Sequence, residues 1–333
     1  MIRAVPFDAT RVAVTGPSIP MESGVYVHRL SGAAEFDVST SGTLAYISAQ
    51  QELRALVWVD RAGNDTAIPA DAGFYTYPRL SPDDLRLSVG VRTSEQDILT
   101  WEFARPGLRP LVRNTAAVGD VLWVKDGTIM YAVTRDGKTG IYRQKADGTG
   151  QAVLVVTSDR PLQPLAIVPD GSALVVRQRN EIGVVSLSGS ARIESLVSGV
   201  SNATLSPNGA WLAYESEDRQ VIVKPFPRTN EGSWTISSGA GLAPLFSRDG
   251  RELFYLAPGK MMSARVIEGR TFSTAAPEEL FSTGDYVIPG IGRTFDVAAD
   301  GRFLMMKPVG RPDPEIRIVF NWFDEVAARV KAR

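Results

Sequence analysis

The 333-residue chain has no cysteine and only one histidine, His28. The first absence removes disulfides, thiolate metal sites and cysteine nucleophiles together. The second leaves any Ser-His-Asp or Cys-His device a single base, and transition-metal sites lack ligands. No G-x-S-x-G nucleophile elbow occurs. His28 sits in VYVHRL, between a strand-like run and a turn, and reads as structural or surface. No apolar run approaches the roughly 18 residues that a membrane-spanning helix needs. Residues 1–20 also lack the charged-then-apolar layout of a signal peptide. The chain as written is therefore expected not to insert in a membrane, with any export signal or anchor outside it. Charge is nearly balanced, with 36 Lys and Arg against 37 Asp and Glu. Without a global field, nucleic acid is not expected as a partner, and a charged ligand has to be met by a local patch.

What the chain does have is a repeat. An apolar stretch, a polar turn ending in Asp/Asn-Gly or a degenerate form, and a second apolar stretch recur seven times. The turns centre on Gly42, Asp84, Gly127, Gly171, Gly209, Gly250 and Gly301, in steps of 42, 43, 44, 38, 41 and 51 residues. That is the period of a four-stranded propeller blade. Pro82 and Pro207 preset φ for the first corner of a type I turn, and the Asp or Asn side chain bonds its own backbone. Glycine then takes the left-handed position at no steric cost; in the second copy Asp84 takes that slot. The strand after each turn (TLAYI, TIMYAV, ALVV, WLAY, ELFYL, FLMM) is almost continuously apolar, as for a strand covered on both faces. Third strands (LVWVD, DILTWEF, GIYRQ, IGVVSL, QVIVKPF, MMSARVI) and short fourth strands follow.

These patterns predict an all-β propeller of four-stranded antiparallel blades, seven in the first count, with six or eight fitting the same pattern. Residues 1–323 form one domain in this reading. Its blades lie at 31–75, 76–117, 118–160, 161–201, 202–240, 241–282 and 283–323, and strands in 1–30 close the ring against the last blade. Residues 324–333 read as a short C-terminal helix.

The SPDG-type hairpin with its apolar strand resembles the WD-like propeller repeats of the TolB family. The chain is closer still to the extracytoplasmic propellers at the C-termini of bacterial transmembrane serine/threonine protein kinases. VPFDATRVAVTGPSIP, AAEFDVSTSGTLAYIS, FDVAADGRFLMM and IRIVFNWFDEV carry that likeness. It implies a sensor or docking domain on the periplasmic side of a membrane. The kinase glycine-rich loop, HRD and DFG motifs are missing, so kinase activity is not implied.

The repeated carboxylates, Asp83, Asp84, Asp126, Asp170, Asp249 and Asp300, fall at turn positions and are expected to build turns. No metal site or cofactor is assigned, although calcium in the channel fits the fold. Binding residues are expected in loops on the opposite face: Phe74, Tyr75, Tyr77, Arg92, Arg135, Arg160, Arg177, Arg179, Tyr286 and Arg293. Exposed aromatics with arginine are common at interfaces. The alternative places aromatics at the inner rim and arginines in solvent. The functional expectation is a non-enzymatic scaffold binding a protein, peptide or small ligand through its loop face or channel. The rival is a propeller hydrolase or lyase using channel carboxylates and a metal ion.

Overall fold

The computed structural model describes residues 2–22, 24–26, 33–48, 53–92, 96–115, 121–189, 192–267, 269–288, 292–310 and 315–331. Three of its polar corners are tied by the same small device. In the fifth copy Ser206 donates its hydroxyl proton to Asn208 Oδ1 (2.7 Å), Ala210 N donates to the same oxygen (3.0 Å), and Trp211 N donates to Ser206 Oγ (2.9 Å). Ser247 and Asp249 repeat it in the sixth copy, and Ser81 and Asp83 in the second. Asp126, Asp170 and Asp300 each accept the N–H two residues ahead. The turn carboxylates therefore have a local structural job.

The strands that follow are buried residue after residue rather than alternately, as in Thr128–Arg135, Glu252–Ala257 and Phe303–Pro308. Six four-stranded antiparallel sheets contain these strands. Blade I is Asp296–Val297, Phe303–Pro308, Arg54–Val59 and Asp65–Ala67; blade II is Tyr75–Leu80, Arg86–Arg92, Gln96–Glu102 and Arg105–Thr115. Blade III is Leu122–Trp123, Thr128–Arg135, Lys138–Lys145 and Val153–Ser158. Blade IV is Leu162–Ile167, Ala173–Gln178, Glu181–Ser186 and Ile193–Ser198. Blade V is Val200–Leu205, Trp211–Ser216, Val221–Pro225 and Trp234–Thr235. Blade VI is Leu242–Phe246, Glu252–Ala257, Lys260–Arg265 and Glu278–Ser282.

The apolar clusters between sheets close the circle. Leu56, Leu304 and Met306 of blade I meet Leu87, Val89 and Trp101 of blade II. Blade II meets III through Ile98 and Ile129, and III meets IV through Met130 and Leu174. Blade IV meets V through Val175 and Leu212, V meets VI through Val223 and Tyr255, and VI returns to I through Phe254 and Phe303. Six blades packed face to face in this order form a β-propeller, a fold that protects its sheet edges by radial repetition.

Ring closure differs from the expected route. The last hairpin, Asp296–Pro308, takes Arg54–Val59 and Asp65–Ala67 as its outer strands, with Phe303 opposite Val59 and Pro308 opposite Arg54. The described residues of 1–30 do not supply them. The first hairpin, Phe36–Ile47, takes Ile316–Val319 instead and stops at three strands. The first and last repeats have in effect exchanged outer strands, which leaves six four-stranded blades among the described residues where seven were expected. Both pairings satisfy the same antiparallel alternation, so the repeat spacing alone does not distinguish them.

The chain accordingly divides into two compact units, residues 53–309, and residues 1–52 with 310–333, where a single domain was expected over 1–323. The second unit has its own core of Ile2, Ile19, Met21, Val25, Leu44, Tyr46 and Trp322. Its helix runs Trp322–Lys331, starting two residues before the expected Asp324. Asp324 and Glu325 occupy its first turn, where negative charge suits the helix dipole. Arg329 Nη1 anchors it by donating to Met21 O (2.9 Å). No helix among the described residues is long and apolar enough to cross a membrane.

Candidate functional site: the central cavity

The innermost strand of each blade, or the residues flanking it, contributes to one cavity of about 130 Å³. Blade II supplies Arg79 and Leu80, III supplies Leu122 and Trp123, IV supplies Gln163 and Pro164, and V supplies Asn202 and Thr204. Pro244, Leu245 and Arg248 come from blade VI, and Arg293 and Asp296 from blade I. Polar side chains stand here in strands otherwise built of apolar residues.

Asp296 is 5% exposed. Its Oδ2 accepts Leu80 N (2.8 Å), its Oδ1 accepts Val297 N (3.0 Å), and Arg293 Nη2 lies 3.7 Å from Oδ1. Burial pushes its pKa up, but the guanidiniums of Arg293, Arg248 and Arg79 and the Leu80 N–H outweigh it, so the carboxyl is held below the usual aspartate value of 3.8. Arg79, also buried, donates to Pro78 O (2.7 Å) and Phe295 O (3.3 Å).

Arg248 occupies the turn position that Pro82 and Pro207 hold in other copies. Its side chain leaves blade VI and reaches two other blades. Nε donates to Val297 O of blade I (3.1 Å), and Nη2 donates to Ser81 O (3.4 Å) and Asp84 Oδ1 (3.2 Å) at the turn of blade II. Asp84, in the glycine slot at φ +56°, also accepts Ala299 N (2.6 Å). The carboxylate that replaces glycine thus links three blades at the closing seam. Among the described residues, Nη1 of Arg248 meets no acceptor.

Two lining side chains lack any partner among the described residues. Gln163 and Thr204 are each 9% exposed, and neither the amide nor the hydroxyl is hydrogen-bonded to protein. Asn202 donates Nδ2 to Glu215 Oε2 (2.7 Å), which leaves its Oδ1 open. Glu215 also accepts Ala243 N (3.2 Å) and does not line the cavity.

Of the residues expected from sequence, Arg293 alone lines this cavity. Tyr75 is buried, with its hydroxyl donating to Asp71 O, and Phe74 is half-buried. Tyr77 sits at φ +49°, and its ring covers Gly292, where a Cβ would come within 2.5 Å of it. Tyr286 belongs to the core between blades VI and I. These aromatics pack the scaffold and do not form an exposed cluster. Arg177 Nη1 donates to Ser201 O (3.0 Å), tying blade IV to V. Arg135, Arg160 and Arg179 are exposed at separate links. The side chain of Arg92 and all of His28 lie outside the described residues.

The missed residues are Arg79, Gln163, Asn202, Thr204, Arg248 and Asp296. Their signal was a polar residue within an apolar first strand, or arginine in a proline slot. The turn aspartates do not converge, and no three His, Asp or Glu side chains gather to hold a metal among the described residues.

The fold has counterparts among solved structures. A candidate TolB from Agrobacterium tumefaciens superposes with a TM-score of 0.57 at 14% identity, covering 79% of this chain and 100% of that one. TolB from Acinetobacter baumannii gives a TM-score of 0.50 at 15% identity, covering 81% of this chain and 67% of that one. At such identities the likeness is one of fold, and this chain contains a TolB-like propeller. No family model matches the sequence. No curated protein matches it either.

Proposed function

We propose that the chain is a non-enzymatic binding module that holds its ligand in the central cavity of the six-bladed ring. The observation that carries this reading is the condition of Gln163 and Thr204, which are more than nine-tenths buried and have no protein partner. Their polar atoms open to the cavity, where a ligand can reach them without displacing a protein hydrogen bond. A ligand or ordered water placed among them gains hydrogen bonds that the protein leaves unused. The partner class is a small ligand, or a peptide or protein that presents a side chain at the cavity.

The sequence resemblance to kinase-linked propellers supports a sensor or docking role on the extracytoplasmic side of a membrane. The rival reading, metal-dependent hydrolysis or elimination at channel carboxylates, has less support from the geometry. Asp296 is the one carboxylate in the wall among the described residues, and both of its oxygens accept backbone N–H groups.

Calorimetric titration of the intact protein with a panel of peptides and small metabolites tests the reading. Saturable binding that is unaffected by chelator and weakened about tenfold by Gln163→Leu is the expected result. Chelator-sensitive turnover that survives Gln163→Leu would overturn it.

A further inference from the structure

The charges around the cavity close on one another. Arg248 pairs with Asp84 at 3.2 Å and Arg293 with Asp296 at 3.7 Å, while Arg79 donates to Pro78 O and Phe295 O. Glu215, buried behind the wall in blade V, is a third carboxylate beside those three guanidiniums. Among the described residues the cavity and its backing therefore hold an excess of neither sign. What the wall leaves open is neutral: the amide of Gln163, the hydroxyl of Thr204 and Oδ1 of Asn202. These groups stand on adjoining strands. Gln163 lies opposite Arg177 in its sheet, and Arg177 Nη1 donates to Ser201 O (3.0 Å), next in sequence to Asn202. Asn202 and Thr204 share the strand Val200–Leu205.

The direction of the Asn202 amide is fixed from behind. Its Nδ2 donates to Glu215 Oε2 (2.7 Å), so the carbonyl oxygen is the end left to the cavity. The same Glu215 oxygen accepts Ala243 N (3.2 Å), and Ala243 takes a left-handed backbone at φ +51° although it carries a Cβ. A buried anion and a strained residue thus hold one acceptor in place. A carboxylate only accepts, so it is opposed beside Asn202 Oδ1. An ammonium only donates, and it offers nothing to the Gln163 NH₂. A hydroxyl both gives and takes, so a run of hydroxyls satisfies all three groups.

We propose that the cavity binds a small uncharged polyol, with Asn202 accepting from one hydroxyl and Gln163 and Thr204 engaging others. Glu215 is the positioning residue that keeps Asn202 in its accepting orientation. The inference rests on the binding reading above and specifies its ligand class. Size sets the upper limit. The cavity of about 130 Å³ is close to one of about 150 Å³ that admits benzene, so it takes a four-carbon polyol or the hydroxyl-bearing edge of one sugar ring. A free polyol and the end of a glycan supply the same chemistry, and the experiment separates the two sources.

Erythritol, succinate and 1,4-diaminobutane have four-carbon chains and differ in charge. Each, together with glucose and maltotetraose, is titrated into the full chain by calorimetry, with thermal shift as a second readout. The expected result is saturable binding of a polyol or sugar, and none of succinate or the diamine. Erythritol or glucose binding identifies a free polyol as the source; binding of maltotetraose alone identifies a glycan end. Gln163→Leu and Thr204→Val each remove a group that bonds to no other protein atom, so the fold is retained and affinity falls about tenfold. Glu215→Leu is expected to weaken binding to a similar extent, and Glu215→Gln, which still offers Asn202 an oxygen, to restore it. If Glu215→Leu fails to fold, Asn202→Leu decides whether that acceptor is used.

Succinate or diaminobutane binding with the same dependence on Gln163 would overturn the polyol assignment while leaving a binding module. Polyol binding unchanged by both Gln163→Leu and Thr204→Val would place the site elsewhere and overturn the proposal. Polyol binding unchanged by Glu215→Leu, or by Asn202→Leu, would overturn the positioning role. No binding of any probe at millimolar concentration would also overturn the proposal, and the broader peptide and metabolite panel then decides whether the chain is a binding module.

Discussion

Asp296 is a carboxylate buried among guanidiniums, and its energetics are those of a charge that cannot be left alone. Asp296→Asn keeps the shape but removes the charge that Arg293, Arg248 and Arg79 face, and it points an amide N–H at a backbone N–H of Leu80 or Val297. Breaking one side of such a buried arrangement costs about 3 kcal/mol, which denaturant unfolding will read directly. The pH dependence follows from the direction of the shift. A carboxyl whose folded pKa lies below 3.8 contributes stability that is fully present above that value and is lost as pH falls through the folded one. The variant is therefore expected to lose less stability on acidification than the parent. Some acid sensitivity remains in the variant, because turn carboxylates such as Asp83 and Asp249, bonded to Ser81 and Ser247, are also held low. At this scale the turn residues were legible in the sequence, since their bonds reach only two to five positions along the chain. Asp84 was legible as a turn residue but not as a link. Its partners Arg248 and Ala299 are 164 and 215 positions away.

The second strand of each hairpin is the element that makes the ring, because it is covered on both faces by neighbouring blades. Phe303 shows the consequence. It is fully buried, with Phe254 at 5.1 Å and Phe281 at 5.2 Å from blade VI and Phe295 at 6.4 Å from its own sheet. Phe303→Ala opens a cavity at the seam where the first and last parts of the ring meet, and should cost about 3–5 kcal/mol by denaturant unfolding. A loss below about 1 kcal/mol would mean that the seam is packed less tightly than its ring contacts imply. Polar ties join blades at this seam and at another. Arg61 pairs bidentately with Glu252 at 3.0 and 2.8 Å between blades I and VI, and Trp123 donates to Ser88 at 2.9 Å between III and II. Strand type and burial could be read from the unbroken apolar runs. The aromatic binding cluster could not, because Tyr75, Tyr77 and Tyr286 have the same composition whether they face a partner or fill a seam.

Across the whole molecule, six blades close on themselves within residues 53–309 through strands drawn from both ends of that span. Those residues expressed alone are expected to give β-sheet circular dichroism and a single cooperative unfolding transition. A broad, non-cooperative melt would show that 1–52 or 310–333 is needed for the ring to form. The sequence by itself determined the repeat, the hairpin chemistry and the propeller class, because each depends on contacts a few residues apart and on a period that stacking blades impose. Only the tertiary structure decided which outer strands join the first and last hairpins, and so the number of blades, since both pairings obey the same alternation. It alone also assembled the cavity. Arg79, Gln163, Thr204, Arg248 and Asp296 come from five different blades, and closure of the ring is what brings them to one axis.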